Sequence, residues 1–353
     1  MNIISYPSGF AEKLLDQYKH MMSDGQVAEG KFYNEMHHAY VDGKESIPVN
    51  SGGSALFALL AFQKYVNNKT HVIIQSNTMR ALYTIPRLLN MEVIICESSR
   101  KPGFMAMDPT GLTEAIEKLR TDGLLTRAVA VYSVIGGYLS SSYPAIEAIT
   151  RQHSIPLIVD AAHGHYLQRI MSSDYADLAF SFYATKILPA GEGGLVTTAD
   201  TVVFQWIKRF LAYDRFNYAF QVGLNLRATE FTAYFIYLLM TDANLKRHFV
   251  GKRVELAGFY KKVCIEHGFS FLDHEEALEY NGYKFIVFEP HEKVEQLGTA
   301  LTAYKPTSPV FAANVFDGGP LLPHWCPPTY PSLYNVFLAP HANSRRARKR
   351  CPA

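Results

Sequence analysis

Lys186 stands in the stretch FSFYATKILPAGEGG (Phe180 to Gly194), after a strand-like run and just before a glycine-rich turn. Lysine is poor in strands and costly to bury, so its ordinary place is a solvated loop. Its other use is chemical: a site that disfavours charge strips the amine of its proton and frees it for covalent or base work. A second reactive group, Asp160, ends the apolar run IPLIVD, and His163 and His165 follow it in DAAHGH. A carboxylate at the end of a buried strand needs a partner, because an unpaired buried charge is expensive. The HxH pair invites a metal, but only Asp160 offers a third ligand and no cysteine is close. His163 as a hydrogen-bonding group is therefore the better reading. A third feature, Ser51-Gly52-Gly53-Ser54, opens the helical run ALFALLAF. A helix start carries free N–H groups and positive dipole character, which suits phosphate. The plainer alternative is a simple cap, with Ser54 capping and two glycines making the turn.

These groups need elements to hold them. Short apolar strands (IPVN, HVIIQS, EVIICE, RAVAVYSV, IPLIVDAA) alternate with helical runs (SALFALLAFQKYV, ALYTIPRLLN, GLTEAIEKLR, PAIEAITRQH) through the first half of the chain. That alternation predicts an α/β fold with a mainly parallel sheet covered on both faces. Ligands of such sheets sit beyond the carboxyl ends of the strands, where Asp160 and the Ser51 turn fall. DLAFSFYA and GGLVTTAD are two further strands joined by the lysine loop, with no room for a helix between them. A long aromatic-rich helical region is expected from Val202 to His267, then a mixed segment with one clear strand, YKFIVFE (Tyr283 to Glu289). The stretch from Pro306 to Pro331 reads as irregular loop. The expected division is a large domain over 1–241 and a smaller C-terminal α+β domain over 242–353, with a basic tail at 341–353.

The chain has 353 residues, 48% hydrophobic and 19% charged, with a net charge of +2. Such a balance fits a globular protein and offers no electrostatic case for nucleic acid or membrane. The cluster RRARKR (Arg345 to Arg350) reads as a solvated tail rather than a binding arm. Four scattered cysteines (Cys96, Cys264, Cys326, Cys351) read as free thiols in a reducing compartment. The most apolar run, FTAYFIYLLM (Phe231 to Met240), is too short to span a bilayer and suits a buried helix. No signal peptide is evident at the start, and a cytoplasmic location is expected.

A phosphate-binding helix start, a carboxylate at a strand end and a lysine on a loop are the anchors that pyridoxal 5'-phosphate (PLP) needs. In sequence, these features resemble the PLP-dependent aminotransferases of nucleotide-sugar biosynthesis, the DegT/DnrJ/StrS type within PLP fold type I. The resemblance rests on VNSGGSAL, QSNTMRAL, MDPTGLTEAI, IVDAAHGH, FSFYATKILPAGEGG and GLNLRATE, in the family's order, over about residues 20 to 240. It implies an aspartate-aminotransferase-like large domain, PLP as cofactor, an amino donor such as glutamate or glutamine, a keto-sugar nucleotide as acceptor, and a homodimer with shared sites.

By position, the resemblance puts Lys186 on the Schiff-base lysine and Asp160 on the carboxylate that pairs with the pyridinium nitrogen. His163 falls where the family contacts the ring's phenolic oxygen, and Gly53, Ser54 and Ser181 fall on phosphate-binding positions. Asn225 matches an asparagine that reaches the phosphate of the other subunit. Arg80 and Arg227 lie in segments suited to a substrate diphosphate, or to structural ion pairs. Two positions depart from the family: Met79 replaces a ring-stacking aromatic, where a thioether contact would substitute, and Gly53 replaces a threonine. Related dehydratases carry histidine at the lysine position, so Lys186 points to transamination. A PLP-binding regulatory protein without turnover is the alternative that those departures would favour.

Overall fold

The computed structural model describes residues 6–39, 43–96, 98, 106–213 and 222–287, together with the backbone of two strands at 311–315 and 334–338. Two helices lead in, α1 (Phe10–Ser23) and α2 (Lys31–Ala39). The alternating region follows in the expected order: β1 (Glu45–Val49), α3 (Gly52–Tyr65), β2 (His71–Gln75), α4 (Ala81–Leu88), β3 (Glu92–Cys96), α5 (Pro109–Thr121) and β4 (Ala128–Ser133). Next come the two-residue β5 (Tyr138–Leu139), α6 (Tyr143–Gln152), β6 (Leu157–Asp160), the single turn α7 (Gln168–Met171), β7 (Ala176–Ser181) and β8 (Gly194–Thr198).

Seven of these strands form one sheet in the order β1-β8-β7-β6-β4-β2-β3. The run β3-β2-β4-β6-β7 is parallel throughout, and β8 alone is reversed, pairing antiparallel with β7 and with β1. The reversal has a local cause. The connection between β7 and β8 is the lysine loop, which is too short for a crossover helix, so the chain must turn straight back. The central strands are buried on both faces, with Ile73, Val129, Val131, Ile158, Val159 and Leu178 fully buried. Each such side chain is worth about 1.5–3 kcal/mol on burial, which is why these strands read as unbroken apolar runs.

After β8 the chain forms α8 (Thr201–Leu211), α9 (Glu230–Thr241), the single turn α10 (Ala243–Lys246), a π turn (Arg247–Gly251) and α11 (Lys252–Glu266). The expected continuous helical region is therefore broken. Residues 222–229 lie extended along β1, with the Asn50 N–H donating to the Leu226 carbonyl (2.8 Å) and the Ala228 N–H to the Pro48 carbonyl (3.3 Å). The periodicity missed this because GLNLRATE is as polar as a helix surface, and only pairing with a strand end selects the extended form. The stretch FTAYFIYLLM forms most of α9, and no helix among the described residues is long and apolar enough to cross a membrane.

The sheet core takes in Leu245 and Phe249, past the expected division at residue 241, and a separate cluster begins at Ala257 with Tyr260, Val263, Cys264 and Phe285. This second region holds β9 (Glu279–Tyr280), which pairs with β5, and β10 (Lys284–Val287). A three-stranded sheet is completed by β11 (Phe311–Val315) and β12 (Tyr334–Leu338), in the order β10-β12-β11. β11 corrects the reading of 306–331 as irregular loop. Prolines flank FAANV without entering it, and pairing with a distant strand outweighs the local composition. Cys96 and Cys264 are buried, whereas Cys326, Cys351 and the basic tail lie outside the described residues.

Candidate active site

Six like-directed strand ends and one reversed strand start converge at one edge of the sheet, and the reactive groups collect there. Asp160 is the last residue of β6, in register with Ser133 of β4 and Ala179 of β7, so it sits at the middle of that edge. Its Oδ1 accepts the Ala162 N–H at 3.1 Å. Burial raises its carboxyl pKa, while the Ala162 N–H and the Lys186 charge pull the other way. No described hydrogen bond occupies its second oxygen. A buried carboxylate with half its acceptor capacity unused awaits a donor.

Beyond Ser181 the backbone folds back on itself. The Phe182 N–H donates to the Gly193 carbonyl (2.9 Å), the Ala184 N–H to Gly191 (2.9 Å) and the Ala190 N–H to Phe182 (2.8 Å). Lys186 stands at the tip of this loop, and the buried Ile187 and Leu188 pin the tip to the core. Gly191 (φ 87°) and Gly193 (φ 147°) adopt backbone conformations closed to other residues, which explains the glycine-rich turn. Gly194 is glycine for a different reason: a Cβ there would lie 2.2 Å from the Ser51 carbonyl oxygen.

Lys186 Nζ lies 3.0 Å from His163 Nε2. The roles in this contact follow from the far side of the ring, where the Gly136 N–H donates to His163 Nδ1 at 3.2 Å. Burial, the largest cause, drives the His163 pKa well below its ordinary value and so favours the neutral ring. A neutral ring with an accepting Nδ1 carries its proton on Nε2, and that N–H must donate to Lys186. Only an unprotonated amine has a lone pair to accept it. Burial accordingly lowers the Lys186 pKa, with Asp160 pulling upward. Burial and this contact both favour the free-amine form of a side chain that stays partly accessible.

His165 does not join this group. Its Nε2–H donates to the Ser181 carbonyl (3.0 Å), and its ring packs between Phe180 and Phe182 at 5.0 and 4.7 Å. Neighbouring histidines thus have unlike tasks, one chemical and one structural.

At the start of α3 the cap is Ser51, which corrects the capping reading of Ser54: Ser51 Oγ accepts the Ser54 N–H at 3.1 Å. The Ser54 hydroxyl donates instead to Asn50 Oδ1 at 2.5 Å. Gly52 brings the helix start hard against β7, since a Cβ there would lie 2.6 Å from Ser181 Cβ. A Cβ on Gly53 would meet only Ser51 Oγ, at 3.7 Å, so this face is open. Gly53, Ser54 and Ser181 therefore gather around the unsatisfied N–H groups of one helix start. Asn225 belongs to the extended segment beside it, with its side chain exposed.

The remaining expected residues are less central. Met79 is 59% exposed and lines a shallow cleft with Arg80, Tyr83 and Ile95. Its neighbour Thr78 is the residue turned inward, its Oγ1 2.6 Å from Ser133 Oγ. Arg80 is exposed at the head of α4. Arg227 pairs with Glu29, with Nη1 3.2 Å from Oε1, the arginine mostly buried and the glutamate exposed. Residues absent from the sequence reading are Gly136, Asn281 and Tyr283. Their signals, a GG dipeptide and an NG pair, are indistinguishable in sequence from any other turn.

Comparison with known proteins follows the same lines. At 17% identity, the fold superposes on a putative PLP-dependent aminotransferase from Bacillus cereus with TM-score 0.72, covering 96% of this chain and 95% of that one. The architecture is thus that of the PLP-dependent aminotransferases. A profile of the DegT/DnrJ/EryC1/StrS aminotransferase family matches residues 10–311, and the chain belongs to that family. It is 33% identical over 166 residues (46% of this chain, 40% of the relative) to the spore coat polysaccharide biosynthesis protein SpsC of Bacillus subtilis. It is 26% identical over 239 residues (63% and 54%) to a putative L-glutamine:3-amino-2,3-dideoxy-scyllo-inosose aminotransferase of Streptomyces kanamyceticus. The chain spans about half the length of the curated relatives it matches.

Proposed function

We propose that this protein is a PLP-dependent aminotransferase that moves an amino group from glutamate or glutamine to a keto-sugar nucleotide. The observation that carries the reading is the Lys186 amine against the His163 ring, beside a buried carboxylate with a described donor on one oxygen only. The residues fit the cofactor. Asp160 would hold the proton on its ring nitrogen and His163 would orient the ring. The α3 start, with Ser54 and Ser181, would take the phosphate. Bound PLP supplies an aldehyde for an amine and a ring that accepts the electron pair of a carbanion. Lys186 Nζ, whose pKa burial lowers, would be the group that holds the aldehyde. When a donor amine occupied the cofactor in its place, the same nitrogen would be the base for the proton on the donor's alpha carbon. Burial of His163 and Asp160 keeps water away from this transfer.

The relatives divide over the acceptor: one is named for polysaccharide biosynthesis and another for an inosose. A cyclic ketone without a nucleotide is therefore the second reading, favoured by Arg227, whose guanidinium is already committed to Glu29. Asn225, exposed beside the phosphate-binding helix start, supports a homodimer in which this side chain completes a neighbour's site. The cytoplasm is the proposed location.

The test is direct. Purified protein given PLP should be yellow, and borohydride should trap the cofactor on Lys186 in a peptide mass spectrum. Glutamate or glutamine should bleach that colour, and keto-sugar nucleotides should restore it faster than inososes. Mixing Lys186→Ala with Asn225→Ala subunits should recover activity through shared sites. Trapping on another lysine, or none, would overturn the assignment.

A further inference from the structure

We propose that Asn281 and Tyr283, contributed by the region after the sheet, are positioning residues that clamp His163 and Lys186 into their working geometry. The proposal rests on the reading of Lys186 as the cofactor lysine and goes beyond it by naming what holds that lysine. Asn281 spends its whole amide on the site. Its Nδ2 donates to the carbonyls of both His163 (2.8 Å) and His165 (2.9 Å), and its Oδ1 accepts the Tyr283 N–H (3.1 Å). This fixes the backbone beneath the His163 ring. Tyr283 then acts twice. Its ring lies on the His163 ring, with centroids 4.6 Å apart, and its hydroxyl donates to the carbonyl of Thr185, the residue before Lys186 (2.9 Å). One side chain thus touches the imidazole and the backbone that carries the amine.

The clamp is seated by the Gly136-Gly137 turn. The Asn281 N–H donates to the Gly137 carbonyl (3.1 Å) and the Lys284 N–H to the Gly136 carbonyl (3.0 Å). A Cβ on Gly137 would fall 1.9 Å from Asn281 Oδ1, so only glycine lets the amide pass. The same turn supplies the Gly136 N–H that fixes the His163 tautomer. The Asn281 and Tyr283 contacts, and the seating of the Gly136 turn that bonds the His163 ring, thus all lie where the second region meets the sheet edge. Loosening them would admit water and free the ring to turn its accepting nitrogen toward the amine. Both changes favour the ammonium form of Lys186. The titratable groups facing this amine are Asp160, His163, His165, Tyr283 and Lys284.

The experiment follows Lys186 in protein without cofactor. Trinitrobenzenesulfonate, which reacts only with unprotonated amines, is applied from pH 6 to 11, and labelling at Lys186 is read by peptide mass spectrometry. In Tyr283→Leu and Asn281→Ala the midpoint should rise by about one unit, so that labelling at pH values well below both midpoints falls about tenfold. Tyr283→Phe keeps the ring and loses the hydroxyl, and should lose about two- to threefold, a partial rescue relative to leucine. Tyr280→Phe, which removes a hydroxyl bonded to the Lys284 carbonyl, should leave the profile unchanged. If the larger substitutions prevent folding, Tyr283→Phe decides alone: an unchanged midpoint overturns the clamp. Because the readout needs no PLP, the outcomes separate. A wild-type protein that takes no cofactor while the shifts appear would sink the function and keep the clamp. Cofactor trapped on Lys186 with unmoved midpoints would do the reverse.

Discussion

Lys44 and Lys186 lie at opposite ends of the same strands. Lys44, just before β1, is 6% exposed, and its Nζ donates to the carbonyl of Ala176, the first residue of β7, at 3.4 Å. Burial pushes its pKa down to about 8, against the pull of Asp177, Glu147 and Asp174. Asp177 is in turn pushed up to about 6 by burial, with the Thr198 hydroxyl 2.6 Å from its Oδ1. Each end of the sheet therefore has a buried lysine and a buried aspartate with shifted pKa values. The difference lies in the partner. Lys44 donates to a carbonyl, which leaves it free to keep its proton, and faces carboxylates that favour the ammonium form. Lys186 meets an N–H, which requires the free amine. A depressed lysine pKa reports burial, and only the direction of the hydrogen bond separates a working amine from a structural one.

Exchanging the two lysines' fates is the strongest way to break this contrast. Lys186→Ala should cost transamination about a thousandfold or more, since base and nucleophile are lost together. Lys44→Met should leave kcat/KM within about threefold, and its urea unfolding curve should show neutral or improved stability, by up to about 2 kcal/mol. Comparable losses of activity in both variants would refute the distinction.

The aspartates give a smaller separation. Asp160→Asn keeps the shape but not the charge that would protonate a ring nitrogen, and turnover should fall about a hundredfold with the melting temperature little changed. Asp177→Asn should keep turnover and lose roughly 1 kcal/mol of stability with its hydroxyl contact, as calorimetry would show.

The smallest effect is on pH dependence. Lys44 titrates near 8, Lys284 is pushed by burial and the Lys186 charge to about 7, and Lys186 is lowered as well. All three regain ordinary values near 10.4 on unfolding, so above pH 7 the unfolded chain binds more protons. Stability should therefore rise with pH, by on the order of 1 kcal/mol between pH 7 and 8. Urea midpoints at the two pH values should show this rise, and Lys44→Met should flatten it less than Lys284→Met. A fall in stability over that interval would mean that these amines are not buried.

Much of the architecture was written locally. Unbroken apolar runs such as HVIIQ and LIVD are strands whatever surrounds them, because both faces must be covered. The short link around Lys186 forces β8 to reverse, and the positions of Asp160, Lys186 and the Ser51 turn at strand ends place them at one edge of the sheet. The order of the motifs was enough to bring those residues together.

Tertiary structure alone decided how they are used. His163 and His165 are alike in sequence, and only packing against Phe180 and Phe182 makes one of them structural. Arg227 meets the distant Glu29, and residues 226–228 take their extended form from the end of β1. Asn281, separated from His163 by 118 residues, leaves no periodic trace of its bond to that backbone. Local sequence encodes which surfaces must be buried, because burial follows the repeat of the helix or strand. It does not encode which distant donor meets which acceptor, since such a bond depends on two segments whose approach is set by the packing of everything between them.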